Sequence, residues 1–202
     1  MEGTTAPVKD ISKLCIKYDS KLLIDEAHAF GIMGPEGKGE SFGLKEPKSI
    51  ISGTFGKAFG SGGAFLATDK ITGENLIQNC GAFRYTTALA PPLCASALAA
   101  LNLIERNPSW GRELKEQSIA LRDKLSQIGW QRPIGEGPII SIILGSDELA
   151  MDYQERLEAQ GLLTVAIRPP TVPEGKSRLR LVIRRNTPDQ ALERLIKVLK
   201  HK

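Results

Sequence analysis

The stretch Ser52 to Phe65 (SGTFGKAFGSGGAF) sets a single lysine, Lys57, among glycines and small or apolar side chains. Lysine is among the residues least often buried, so this setting asks for a chemical reason. Three readings compete: a loop that wraps phosphate, a lysine that reacts covalently, and a plain glycine-rich turn. Upstream, Leu22 to Gly31 (LLIDEAHAFG) carries Asp25-Glu26-Ala27-His28, which beside a Gly-Lys loop suggests nucleotide hydrolysis. A phosphate loop of that kind needs G-x-x-x-x-G-K followed by Ser or Thr, because the hydroxyl holds magnesium. Here Ala58 follows the lysine, the glycines before it are Gly53 and Gly56, and the two motifs stand in reversed order. The nucleotide reading fails.

A covalent lysine explains more. A Schiff-base lysine must be neutral to attack a carbonyl, and a desolvated, crowded site lowers its pKa. Pyridoxal 5'-phosphate (PLP) also needs an acid against its ring nitrogen, since the protonated ring is the electron sink. Asp25, at the end of an apolar run, suits that task, and His28 can reach the ring oxygen of the same cofactor. Thr54 can offer its hydroxyl to the phosphate. Taken singly, Asp25 and His28 also read as a helix cap and a surface histidine, and Lys57 as a solvated loop residue. Taken together, they form a constellation on two neighbouring strand ends, where α/β folds place ligands.

The elements that must position these groups are legible from periodicity. Ile11 to Tyr18 reads as a helix, and Lys21 to Ile24 as a strand ending at Asp25. Ser49 to Ser52 is a second strand that stops before the lysine loop, and Gly63 to Thr68 a third. Leu93 to Arg106, started by Pro91-Pro92, reads as a buried helix. Beyond Asn107-Pro108 come a helix over Arg112 to Ile128 closed by Gly129, a strand over 138–144 and a helix over 147–160. Strands over 162–167 and 178–183 and a last helix over 187–199 complete the chain. The expected domains are 1–106, the second half of a parallel-sheet domain, and 107–202, a small C-terminal domain.

With 202 residues, 41% hydrophobic and 25% charged, the chain has the composition of an ordinary globular protein. Lys and Arg exceed Asp and Glu by 27 to 23, a diffuse excess that gives no reason to expect nucleic acid. Part of it lies in one basic cluster, Lys176 to Arg185. No apolar run approaches the roughly 18 residues that span a bilayer, and no leader pattern opens the chain, so a cytoplasmic protein without a membrane partner is expected. Cys15, Cys80 and Cys94 share no metal-like spacing and read as reduced structural thiols, with no metal expected.

Asp25-Glu26-Ala27-His28 with Gly31 and Gly34, followed by Gly53-Thr54-Phe55-Gly56-Lys57-Ala58-Phe59-Gly60, resembles the α-oxoamine synthase family. These are PLP enzymes of the class-II aminotransferase group with the fold-type-I α/β architecture. Phe83 to Thr87, Pro91-Pro92, the Ala166 to Pro173 stretch and Ser177 to Leu181 fit the same family over essentially the whole chain. The resemblance implies that Lys57 carries the cofactor covalently, Asp25 pairs with the pyridine nitrogen, His28 contacts the ring oxygen and Thr54 binds phosphate. It implies further that Thr171 touches substrate and Arg180 holds the amino acid carboxylate, with Thr86 and Thr87 meeting the cofactor across a homodimer interface. A planar guanidinium suits a carboxylate bidentately, though Arg178 and Arg180 also read as a solvated strand face. The implied reaction is decarboxylative condensation of an amino acid with an acyl-CoA or acyl-carrier thioester. The Ala166 to Pro173 stretch favours the branch that uses L-alanine over those that use glycine or serine.

Two departures qualify the resemblance. Family members are about twice as long, so the sequence reads as the C-terminal part of the large domain plus the small α+β domain. The second reading is accordingly a non-catalytic remnant, or half of a split protein that needs a complementary chain. Members also commonly carry a histidine shortly after the Arg-Leu-Arg strand, where this chain has Arg184-Arg185-Asn186.

Overall fold

The computed structural model describes residues 1–44 and 49–200. They form two compact units: Ala6–Arg112, and Met1–Thr5 together with Glu113–Lys202. The division therefore falls a few residues later than the sequence suggests, inside a helix, and gives the first five residues to the C-terminal unit.

The first unit holds α1 (Val8–Lys17), β1 (Leu22–Asp25), β2 (Ser49–Thr54), β3 (Ala64–Ala67), α2 (Lys70–Asn79), α3 (Gly81–Arg84) and α4 (Pro91–Arg106). Its sheet has the order β1-β2-β3. β1 and β2 run parallel, with Asp25 opposite Ser52. β3 is antiparallel to β2, pairing Ala64 with Thr54, where a parallel continuation was expected. The reason is length: Phe55 to Gly63 is shorter than the dozen or so residues that a parallel crossover needs.

Two further differences have local causes. α2 was not foreseen, although Asp69 caps it by accepting hydrogen bonds from the Thr72 amide (3.1 Å) and hydroxyl (2.7 Å). α4 was expected to be buried, yet Ala97 is its only buried residue, and Leu98 and Leu103 are more than half exposed. An alanine- and leucine-rich helix is covered only where a second element packs on it. Among the described residues of this unit none covers that face.

The second unit holds α5 (Trp110–Gln127) beyond its first turn, β4 (Ile139–Gly145), α6 (Asp147–Glu158), β5 (Val165–Ile167), β6 (Ser177–Val182) and α7 (Asp189–Lys200). Its antiparallel sheet has the order β4-β6-β5. Ile140 pairs with Leu181 and Ile142 with Leu179, and these four are buried with Leu125, Tyr153, Leu157 and Leu199. Trp130 closes the core edge-on to Tyr153 at 5.6 Å and donates its indole N–H to the Leu199 carbonyl (2.9 Å). β5 is shorter than predicted because the Leu162 amide is engaged with Leu157 at the end of α6. That helix ends at Glu158, and Gly161 just beyond it, with φ of +72°, permits the reversal.

The other face of this sheet carries Ser141, Arg178 and Arg180, and the first residues of the chain lie across it. Ser141 donates to the Met1 carbonyl (3.0 Å), and buried Arg178 pairs with Glu2. At the sheet's edge the fully buried Arg122 donates to the carbonyls of Ser118, Ile134 and Ile139. No helix among the described residues is long and apolar enough to cross a membrane.

Burial works to raise the Glu2 carboxyl, but the hydrogen bond and charge of Arg178 outweigh it and hold the group below its ordinary value. A depressed carboxylate contributes stability that is present above its unfolded value of about 4.3 and is lost as pH falls through the folded value. Glu2→Gln should therefore be less stable than the parent at pH 7, and the difference should shrink at pH 3. Glu2 is about a third exposed, so the effect should stay below about 1 kcal/mol. Urea midpoints at the two pH values measure it.

Candidate functional site

Asp25 ends β1 because its carboxylate turns back on the chain, Oδ1 accepting from the Ala27 amide (2.8 Å). This local bond competes with further strand pairing. One more inter-strand bond follows, from the Glu26 amide to the Ser52 carbonyl (2.8 Å), after which the Ala29 and Phe30 amides both fold onto the Glu26 carbonyl (2.9 and 2.7 Å). His28 sits on this turn and is exposed, as is Asp25.

Between them, Glu26 points inward. It is 2% exposed, and its carboxylate accepts from the amides of Ser41 (2.6 Å) and Glu40 (3.2 Å). Gly39 lets the loop come this close: a Cβ there would stand 3.0 Å from the Glu26 carboxylate, at a φ of +91°. The buried carboxylate thus ties the turn bearing His28 to the loop at 39–41. Sequence reading assigned Glu26 no role. The available signal was a carboxylate at the inner position of a strand end, followed by glycines at 31, 34, 37 and 39.

Lys57 lies beyond the end of β2, on a closed loop. The Thr54 hydroxyl accepts from the Gly56 amide (3.1 Å) and donates to the Gly63 carbonyl (3.1 Å). Ser61 donates to the Phe55 carbonyl (2.8 Å), and Gly60 to that of Lys57 (3.0 Å). Gly60, with φ at +58°, supplies the left-handed residue that closes the loop.

The side chains on either side of Lys57 point into an aromatic cycle. Phe59 stacks on Phe30 at 5.1 Å, Phe30 meets Phe65 edge-on at 5.1 Å, and Phe55 touches both Phe65 (5.3 Å) and Phe59 (5.4 Å). Each such contact contributes about 0.5–1.5 kcal/mol beyond the area it buries. The cycle joins the lysine loop to the turn that carries His28.

Asp25, His28, Thr54 and Lys57 therefore gather at the carboxyl ends of two paired parallel strands. The crowded, desolvated setting expected for the lysine is absent. Lys57 is exposed because glycines and serine on its loop offer no side chains to cover it. Among the described residues its ammonium makes no hydrogen bond or ion pair. Thr54 also differs from expectation, since its hydroxyl already serves two backbone groups of the loop. Thr86 and Thr87 lie on an exposed segment beside Tyr85.

Thr171 and Arg180 belong to the other unit. Thr171 is exposed, in a turn closed by its amide on the Arg168 carbonyl (3.0 Å). Arg180 stands opposite Ser141 on β4 and Val165 on β5. Its Nε is buried with no hydrogen-bond partner. Arg178, on the same face, is buried and paired rather than solvated. Among the described residues no group of three His, Cys, Asp or Glu side chains could hold a metal.

Residues 1–199 match the family model for aminotransferase class I and II. The 8-amino-7-oxononanoate synthase of Methylobacillus flagellatus is 38% identical over 201 residues, 98% of this chain and 51% of that protein. Among solved structures, serine palmitoyltransferase of Sphingomonas wittichii superposes with a TM-score of 0.90 at 26% identity, covering 99% of this chain and 51% of that one. An SPT solved with PLP gives the same score. The 8-amino-7-oxononanoate synthase of Francisella tularensis follows at 0.83 and 26%, with 99% and 59% covered. The fold is that of these PLP-dependent transferases, and the chain spans about half the length of the curated relatives it matches.

Removing the Glu26 carboxylate leaves two amides without an acceptor, so Glu26→Ala should lower stability by about 2 kcal/mol or more. Hydrogen exchange should accelerate at residues 40 and 41 before it does in β2. Gly39→Ala should produce the same pattern. Urea denaturation and amide-resolved exchange read both.

Proposed function

Because the chain belongs to the aminotransferase class I and II family, we propose that it is the PLP-bearing part of an 8-amino-7-oxononanoate synthase. The observation that carries this reading is the placement of Asp25 and Lys57 at the ends of adjacent parallel strands, with the Lys57 amine unpartnered.

The residues present fit the cofactor. An acid ends one strand, and an amine without a hydrogen-bond or ion-pair partner among the described residues follows the next. PLP, when bound, supplies an electron sink for the bonds at a substrate's α-carbon. Asp25 would hold the ring nitrogen through the carboxylate oxygen that the Ala27 amide leaves unused, and His28 would steady the ring oxygen. Thr54 shapes the loop and would reach the phosphate by turning its hydrogen away from Gly63.

Lys57 would anchor the cofactor covalently and, when not so engaged, would serve as the base that takes the α-proton of the amino acid. Arg180 would grip the substrate carboxylate bidentately, with Thr171 beside the substrate. In the overall reaction a bond forms between the α-carbon of L-alanine and the acyl carbon of a pimeloyl thioester. The thiol and carbon dioxide leave. Thr86 and Thr87 would meet the cofactor of a second subunit in a cytoplasmic homodimer.

The higher TM-score of serine palmitoyltransferase favours a second reading, in which serine replaces alanine. The first is supported by the curated relatives, such as the 8-amino-7-oxononanoate synthase of Methylobacillus flagellatus at 38% identity. 2-Amino-3-ketobutyrate CoA ligase and 5-aminolevulinate synthase are the remaining in-family alternatives.

Adding PLP to the purified chain should produce a visible absorption band that Lys57→Ala lacks, and borohydride should fix the cofactor's mass on the Lys57 peptide. A band that persists in the variant, or label spread over many lysines, overturns the assignment. No band at all favours the non-catalytic half that needs a complementary chain.

A further inference from the structure

The basic run after β6, where Arg184-Arg185-Asn186 stands in place of a histidine, has no part in the reaction above. In the structure it borders a groove of about 440 Å³ in the C-terminal unit, between the end of β6, the 161–164 loop and the first turns of α7. Such a volume falls within the roughly 300–1,000 Å³ of small-molecule sites.

The lining of the groove combines two chemistries. Leu162, Leu181, Ile183 and Leu192 make part of it aliphatic, joined by the almost fully exposed Leu163. The groove's charge is cationic. Arg184 and Arg194 line it, and no carboxylate does; Asp189, in the first turn of α7, lies outside the lining. Arg194 is held in place by bonds to the carbonyls of Gln160 (2.8 Å) and Gln190 (3.3 Å), whereas the Arg184 side chain makes no hydrogen bond or ion pair among the described residues.

Thr187 bonds the backbone of Arg184 through its hydroxyl (2.7 and 3.0 Å), which fixes the turn leading into α7 where Thr187 and Ala191 join the lining. Independently, Thr164 forms part of the wall, is 8% exposed, and has a buried hydroxyl with no hydrogen-bond partner. An orphaned buried hydroxyl costs about 1–3 kcal/mol, and a turn about χ1 would give it an acceptor in the groove.

We propose that this groove binds a small organic acid with an unbranched apolar chain, its carboxylate between Arg184, Arg194 and Thr164 and its chain along the leucines. The site is confined to the second unit and is independent of the PLP assignment. Neither feature alone would select this ligand: the arginines would take any anion, and the aliphatic wall any apolar molecule.

The test is a 15N NMR titration of the full chain with sodium octanoate, beside octanol and inorganic phosphate. Octanoate should give saturating shifts at the amides of Arg184, Asn186, Thr187 and Ala191, and both controls should bind at least tenfold more weakly. Arg184→Ala, which removes an exposed and unpaired side chain, should weaken octanoate about tenfold. Octanoate should also slow phenylglyoxal modification of Arg184, which reads the site without a spectrum. Shifts that do not saturate or that map elsewhere, phosphate or octanol binding as tightly as octanoate, or unchanged affinity in Arg184→Ala would each overturn the proposal.

Discussion

The site depends on a buried carboxylate that takes no part in chemistry. Glu26 is enclosed at the end of β1, where an acid is tolerated only with its oxygens satisfied. It meets that condition by holding the amides of residues 40 and 41, and Gly39 makes the approach possible. The strand end, the turn with His28 and the glycine-rich loop are thereby one rigid piece. The aromatic cycle extends that piece to the loop of Lys57. Exposed reactive side chains can then stand on a fixed base, their backbones held from below while the groups themselves face outward.

What was legible in the sequence and what was not divide along physical lines. Local signals were read well. Alternation and capping residues located most strands and helices to within a few residues, and the spacing of Asp25, His28, Thr54 and Lys57 placed them on neighbouring strand ends. Properties set by distant packing were not readable. The exposure of Lys57 and α4, the direction of β3, and the unpaired Nε of Arg180 all depend on what stands across space. Glu26 escaped notice because its neighbours in the Asp-Glu-Ala-His run drew the chemical argument, while its own partners lie 14 and 15 residues away.

The first unit also exposes Leu14, Tyr18, Leu23, Leu66, Ile71 and Phe83, and among its described residues β1 and β3 each have one unpaired edge. Apolar faces beside open strand edges favour association. The curated relatives are about twice as long, so a surface of this kind accords with a chain whose family fold contains more than these residues.

The assignment of Met1–Thr5 to the C-terminal unit bears on how the molecule assembles. Met1 and Glu2 find their partners 140 and 176 residues later, so residues 1–5 are synthesised long before β4 and β6. Closing so long a loop is entropically expensive, though each doubling of its length adds only about 0.6 kcal/mol. The intervening unit can fold first and shorten the effective span. Residues 1–5 would then be the last strap fastened, and a probe placed there would report completion of the small sheet rather than its beginning.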